Sequence, residues 1–228
     1  MFNFNLSIII PCLNESENLK KLIPEIKSYI GKKFSYEILI IDGMEKDHKT
    51  TQITTKYKIK YFNRKNNNDY GNAVRLGINK SLGKYTIFMD GDYSHEPKFI
   101  LKLYKERFND VVIASRYTVG GKTDNSFIAE FLSKVLNIFY NTVLNLNLKD
   151  VSNSFKLYDT KKIKKLNLKS NHFDIIEEII FKLKVNNNKI KIKEIPYHFR
   201  QRKFGKTKRN FVIIIAYLFS IIRLRILG

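Results

Sequence analysis

Only one cysteine, Cys12, occurs in the 228 residues, which excludes an intramolecular disulfide. Lying where the apolar stretch 7–11 continues, it reads as a packed thiol in a reducing compartment. The four histidines, His48, His95, His172 and His198, are too scattered for a metal cluster. The opening Met-Phe-Asn-Phe-Asn contains no basic segment followed by an apolar core, so no secretory signal is visible and the cytoplasm is the default compartment. No internal repeat and no long linker divides the sequence, and its length suits one core with a small appendage.

Acidic residues are also scarce, 21 against 42 lysines and arginines, for a formal charge of +21. That excess has two readings: a surface that seeks anions, or a compositional bias in a chain also rich in Asn and Ile. Only local clustering of the charge therefore carries weight. A nucleic-acid binding module would need a recognisable reading motif and a continuous basic stripe. No such motif is found, and no nucleic-acid partner is expected.

The most informative feature present is Asp90-Gly91-Asp92, directly after the apolar run Tyr85-Thr86-Ile87-Phe88-Met89. Two carboxylates at i and i+2 that leave a buried strand can both turn toward one hard cation, and that cation can bridge the phosphates of a nucleotide. By itself the triplet also reads as a plain turn, so its surroundings decide. Short β-branched apolar runs alternate with helix-period segments. Strands are predicted over 6–11, 37–42, 59–62, 84–90, 111–115 and 190–196, and helices over 17–30, 47–57, 72–81, 97–108, 126–146 and 174–185. This alternation predicts an α/β fold with a mostly parallel, Rossmann-like sheet covered by helices on both faces. Ligands of such sheets bind at the carboxyl ends of the strands. That rule gathers Pro11-Cys12-Leu13-Asn14-Glu15, Asp42-Gly43, Asp90-Gly91-Asp92 and Ser115-Arg116 on one rim. The asparagine tracts 66–68 and 186–188 read as surface turns.

These segments form an ordered set: 7–15, Ile40-Ile41-Asp42, 71–75, Phe88 to Asp92 with Ser94-His95, Ala114 to Tyr117 with Gly120-Gly121, Asp150 to Tyr158, and Arg202 to Lys208. The set resembles the family 2 glycosyltransferases of the GT-A fold, in particular the dolichyl- or polyprenyl-phosphate sugar synthases, and covers nearly the whole chain. The resemblance implies a GT-A catalytic domain over 1–209, followed over 210–228 by a short C-terminal apolar helix, membrane-associated or packed on the domain. It implies that Pro11, Asn14, Glu15, Asp42 and Asp90 bind a GDP- or UDP-linked sugar. Asp90 and Asp92 would carry Mg²⁺ or Mn²⁺, with Asp92 the more direct ligand and Asp90 acting on the cation through water or on the ribose. Arg75, Lys84 and Arg116 could supplement the cation, Arg116 being the preferred one of the three. His95 reads as a support to the Asp90-Gly91-Asp92 turn. One departure stands out: where the family commonly has Asp-Asp-Gly-Ser, this chain has Asp42-Gly43-Met44-Glu45.

The acceptor side is implied by the C-terminal half. Asp150-Val-Ser-Asn-Ser-Phe-Lys-Leu-Tyr158 resembles the family's Asp-x-Thr-x-Gly-Phe-x-Leu-Tyr, with Ser154 in place of the usual glycine. A sugar-hydroxyl acceptor needs a carboxylate base, for which Asp150 and the Glu177-Glu178 pair are candidates. A lipid phosphate is mostly dianionic at neutral pH and needs cations instead. Arg202, Lys206, Lys208 and Arg209 supply such cations, the segment Arg202 to Lys208 resembles the family's loop over the pyrophosphate, and Asp150, Arg202, Lys206 and Lys208 are the expected acceptor- and phosphate-binding set. Asp92, Arg116 and Arg202 are the expected catalytic residues. The apolar run 211–222 would measure about 18 Å as a helix against a hydrocarbon core of about 30 Å. It is a core helix or one pressed onto anionic lipid, with basic residues on both sides. The function expected is metal-dependent, inverting transfer of a hexose to a polyprenyl phosphate by an enzyme peripheral to the cytoplasmic face of a membrane. The alternative is addition of a sugar to a glycan hydroxyl in cell-surface polysaccharide synthesis.

Overall fold

The computed structural model describes residues 2–201 and 221–226. Alternation along the first strand, β1 (Phe4–Pro11), sets the layers: Leu6, Ile8 and Ile10 are buried in one apolar cluster and Ile9 in another. Around it lie β2 (Tyr36–Asp42), β3 (Lys60–Asn63), β4 (Gly83–Phe88), β5 (Val111–Ser115), β7 (Lys156–Asp159) and β8 (Ile192–Pro196), in the order β3-β2-β1-β4-β7-β5-β8. Every pairing is parallel except those of β7, which runs antiparallel to both β4 and β5. A two-strand ribbon, β6 (Lys122–Thr123) with β9 (His198–Phe199), stands apart from the main sheet.

Helices cover both faces, as the two apolar clusters require. On the Ile8 side, α1 (Ser16–Ile30) brings Leu19, Leu22, Ile23, Ile26 and Ile30 at helical spacing, and α4 (Phe99–Lys105) adds Phe99, Ile100 and Leu103. On the Ile9 side lie α3 (Tyr70–Lys80), α5 (Phe127–Leu144) and α7 (Ile175–Asn186). Gly77 lets α3 rest directly on β1, since a Cβ there would fall 2.5 Å from Cγ2 of Ile9. The remaining helices are α2 (His48–Tyr57), capped by the Asp47 side chain, and the single turn α6 (Thr160–Ile163).

All six expected strands and all six expected helices within the described residues form, the largest boundary change being the shortening of the helix expected over 97–108 to Phe99–Lys105. Four elements were not expected: β6, β7, β9 and α6. Of these β7 matters most, because it inserts between β4 and β5 and carries the segment 150–155 to the rim. The 209/210 boundary and most of the 211–222 run lie outside the described residues. Residues 221–226 are helical, with Ile221 buried in the Ile9-side cluster and Leu224 packed against it.

Candidate functional site

Strand register brings the expected donor residues together. Pro11 pairs with Ile41, and Ile9 with Phe88, so the turns following β1, β2 and β4 leave the sheet at one level. With strands about 4.8 Å apart, Asp42 and Asp90 flank the end of β1 at about 10 Å, the scale of a nucleotide.

Asp42 is buried at the end of β2. Its Oδ1 accepts from the Gly43 N–H at 2.8 Å and from the Cys12 thiol at 3.7 Å, and its Oδ2 accepts from Tyr61 Oη at 3.1 Å. A carboxylate offers about four lone-pair sites, so capacity remains for one further donor. Burial raises the pKa of Asp42 from the usual carboxylate range. Beneath it lies Arg64, a residue the sequence reading did not single out. Its guanidinium donates to the carbonyls of Cys12 (2.8 Å), Asp42 (2.8 Å) and Asn68 (2.7 Å), tying the turns after β1 and β2 to each other. The altered turn at Gly43 has a steric reason. A Cβ there would meet Leu13 Cδ1 at 2.7 Å and Asn68 Oδ1 at 3.1 Å, and Asn68 Oδ1 also accepts the Met44 N–H. Asn68 thus does more than form a surface turn. Of the other donor residues, Glu15 accepts from the Asn18 side chain at 2.6 Å, and Asn14 takes a left-handed φ of 59° in the exposed loop before α1.

The Asp90-Gly91-Asp92 turn is held from within. Asp92 is nearly buried, and its Oδ1 accepts from both the N–H (3.0 Å) and the hydroxyl (2.6 Å) of Ser94. Tyr93 between them sits at φ 69°, a conformation bulky residues adopt at a cost and which recurs at functional turns. Asp90 is the more open of the two, its side chain 28% exposed. Buried His95 accepts the Asp90 N–H at Nδ1 (2.9 Å), so Nε2 carries the proton and faces Asn153 Oδ1 at 3.2 Å. Burial lowers the His95 pKa, which keeps this neutral tautomer. His95 therefore stands against Asp90 as expected. Among the described residues no group of three or more His, Cys, Asp or Glu could hold a metal. A pair of carboxylates on one turn fits a hard cation that takes its remaining oxygens from phosphate and water.

Arg116 and Asp150 were expected at the phosphates and the acceptor, and the structure engages them with each other. The Arg116 guanidinium donates from Nε to Asp150 Oδ2 at 2.8 Å and from Nη2 to Oδ1 at 2.7 Å, while the Arg116 N–H also reaches Oδ2 at 2.8 Å. The side chains are 4% and 0% exposed. Although burial opposes charge, the Asp150 carboxylate holds the Arg116 pKa above its ordinary value. Fully buried Lys156 donates to the carbonyls of Val151 (2.7 Å) and Asn153, and burial brings its pKa down to about 8. Glu178 is also inside: it accepts the N–H groups of Lys169 and Ser170 and pairs with Lys182. Two further cations are placed elsewhere than the motif order suggested. Arg75 donates to Ser170 and Asn171, and Lys84 is the second residue of β4, six residues or about 20 Å before Asp90.

The acceptor side borders an exposed apolar helix. On α5, Asn137 donates to Ser152 Oγ (3.1 Å) and accepts the Val151 N–H (2.7 Å), which fixes the helix behind the 150–154 segment. Its outer face presents Phe127, Ile128, Phe131 and Ile138, at 84%, 70%, 58% and 66% exposure, together with Leu132 and Val135. Among the described residues α5 is the one helix long and apolar enough to cross a membrane by composition, yet its buried Asn137, Tyr140 and Leu144 face the domain. Arg202, Lys206, Lys208 and Arg209 lie outside the described residues. Among the described residues, the Arg200 N–H donates to Ser94 O (3.4 Å) and its guanidinium to Glu96 (3.3 Å).

Comparison with known proteins shows the family and the fold. The sequence is 31% identical over 227 residues to dolichol-phosphate mannosyltransferase of Pyrococcus furiosus, covering 96% of this chain and 63% of that protein. It is 31% identical over 178 residues to dolichyl-phosphate beta-glucosyltransferase of Dictyostelium discoideum, covering 68% and 54%. The chain thus spans less than two thirds of the length of either relative. Glucosyl-3-phosphoglycerate synthase from Mycobacterium tuberculosis, solved with Mn²⁺, UDP and glucosyl-3-phosphoglycerate, superposes with a TM-score of 0.72 over 97% of this chain and 78% of that one, at 13% identity. That likeness shows the shared fold. Residues 7–166 match the model of glycosyl transferase family 2, and the chain belongs to that family.

Proposed function

We propose that this chain transfers a hexose from a GDP- or UDP-linked sugar to a polyprenyl phosphate, with inversion, at the cytoplasmic face of a membrane. The observation that carries the lipid acceptor is the exposed apolar face of α5, fixed through Asn137 to the 150–154 segment that reaches Asp90. A water-soluble acceptor has no use for an apolar surface beside its site, whereas an acceptor anchored in lipid must be met at the bilayer. Because α5 also buries polar Asn137 against the domain, it would lie in the interface plane and not cross it. The surplus of basic residues suits anionic headgroups, and the basic flanks of the 211–222 run would add to that attachment.

In this reading Pro11, Asn14, Glu15 and Asp42 hold the nucleoside, and Arg64 fixes the two turns that carry them. Asp90 and Asp92 would hold Mg²⁺ or Mn²⁺, and a divalent cation there supplies charge neutralisation for the departing diphosphate. Arg200, two residues before Arg202 in the sequence, hydrogen-bonds to Ser94 and Glu96 just after the Asp92 turn. Arg202, Lys206 and Lys208 would draw the lipid phosphate and the donor diphosphate together against their repulsion. No general base is required, because the phosphate acceptor is already anionic at neutral pH. Arg116 and Asp150, buried and paired, act as the scaffold of the acceptor-side segment.

The test is incubation with vesicles containing a polyprenyl phosphate and radiolabelled GDP- and UDP-sugars. Label passing into the organic phase, dependent on the lipid phosphate, is the expected result. Label confined to water-soluble glycan would overturn the lipid acceptor in favour of a sugar hydroxyl.

A further inference from the structure

The 150–154 segment meets Asp90 twice. Asn153 Oδ1 holds His95, whose Nδ1 accepts the Asp90 N–H, so the main chain at Asp90 is fixed through a side-chain relay. Next to it the Ser154 hydroxyl donates to Asp90 Oδ1 at 3.1 Å. One segment therefore constrains both the backbone and the carboxylate of the more open of the two acidic residues on the turn.

The two partners in the Ser154–Asp90 bond are not equally fixed. The segment is anchored without it: Asp150 by the bidentate Arg116 pair, the Val151 and Asn153 carbonyls by Lys156 Nζ, the Val151 N–H by Asn137, and the Ala114 carbonyl by Asn153 Nδ2. Phe155, the next residue, stacks on His95 with ring centroids 4.5 Å apart. Asp90, by contrast, begins a turn after β4 has ended and keeps a partly exposed side chain. His95 Nε2 lies 3.7 Å from Asp90 Oδ2, so the Ser154 hydroxyl fixes the other carboxylate oxygen from a well-anchored segment. Hydrogen bonds from a rigid shell orient ligating carboxylates and typically account for 10- to 100-fold in metal affinity or activity.

We infer that Ser154 is a positioning residue: its hydroxyl fixes the rotamer of Asp90 so that the carboxylate faces a divalent cation bound with a nucleoside diphosphate. This rests on the reading of Asp90 and Asp92 as the cation's protein ligands. The substitutions Ser154→Ala and Ser154→Gly remove the hydroxyl from a segment held by other contacts and leave the fold in place, and Ser154→Thr retains it.

The experiment is titration of Mn²⁺ into the full chain with UDP or GDP present, followed by electron paramagnetic resonance of free Mn²⁺, with thermal melts of each variant and Asp92→Asn as the reference for a lost ligand. The expected result is a dissociation constant raised about 10-fold in Ser154→Ala and Ser154→Gly, with melting unchanged and affinity retained in Ser154→Thr. Equal or tighter Mn²⁺ binding by folded Ser154→Ala overturns the inference while the cation site stands. A parent protein that takes up no Mn²⁺ with either nucleotide overturns the cation site and the inference together.

Discussion

Replacing Asp150 by Asn tests whether the Arg116–Asp150 pair is scaffold. The substitution preserves the shape of the side chain but leaves the Arg116 guanidinium, 4% exposed, without its counter-charge. It also weakens acceptance from Arg116 Nε, Nη2 and the backbone N–H, all within 2.8 Å of the carboxylate. Breaking a buried pair by removing one partner costs about 3–5 kcal/mol, since the remaining charge keeps its desolvation penalty. For a domain of this size each kcal/mol moves the melting temperature by about 2–4 °C, so the expected loss is roughly 6–20 °C. Circular dichroism melts, with urea denaturation for the free energy, measure it directly. The double variant Arg116→Met with Asp150→Asn should be more stable than the sum of the single losses predicts, because no buried charge is left behind. An Asp150→Asn protein that melts with the parent would refute the scaffold role and return Asp150 to the candidates for direct contact with the acceptor.

Other outcomes follow from the same geometry. Asp92→Asn, and EDTA added to the parent protein, should each abolish turnover; full activity in EDTA would remove the cation from the reaction. Arg202→Ala should lower transfer by about 100-fold or more, the scale of losing one donor to developing charge, without moving the melt; an unchanged rate would make the basic loop ordinary surface. Serine at both Phe131 and Ile138, each more than half exposed on α5, should release the protein from anionic vesicles in flotation while the melt stays within about 0.5 kcal/mol per site; undiminished flotation would remove α5 from the membrane surface. Burial brings Lys156 down to about 8, against about 10.4 in the unfolded chain, so the unfolded state binds more protons between these values. Stability should therefore rise with pH from about 8 until tyrosine ionisation in the unfolded chain intervenes near 10, and Lys156→Met should flatten that rise in denaturant midpoints.

The parallel strands and their helices were legible because each is a continuous apolar or helix-period run, and the rim followed from the rule that ligands sit at strand carboxyl ends. β7 was not. It has four residues, begins with a lysine, and owes its place to burial of that lysine under the 151–153 carbonyls, a tertiary contact that no local pattern announces. Arg64 escaped notice for a similar reason: a lone arginine after a short edge strand carries no motif, and its role lies in three carbonyls far apart in sequence. The segment 126–146 read correctly as helix, but its stripe of exposed apolar residues emerged only when Asn137 and Tyr140 were seen to face the domain. Motif order placed Arg75, Lys84 and Arg116 near the cation. Strand direction puts Lys84 at the other end of β4, and folding gives Arg75 and Arg116 partners of their own.

The most direct measurement is the anomeric configuration and linkage of the product formed from an α-linked nucleotide sugar and a polyprenyl phosphate, read by proton and phosphorus NMR. Transfer with inversion to the lipid phosphate predicts a β-linked glycosyl phosphate extractable into organic solvent, with one nucleoside diphosphate released per sugar moved. A water-soluble glycoside, or an α-linked product, would contradict it.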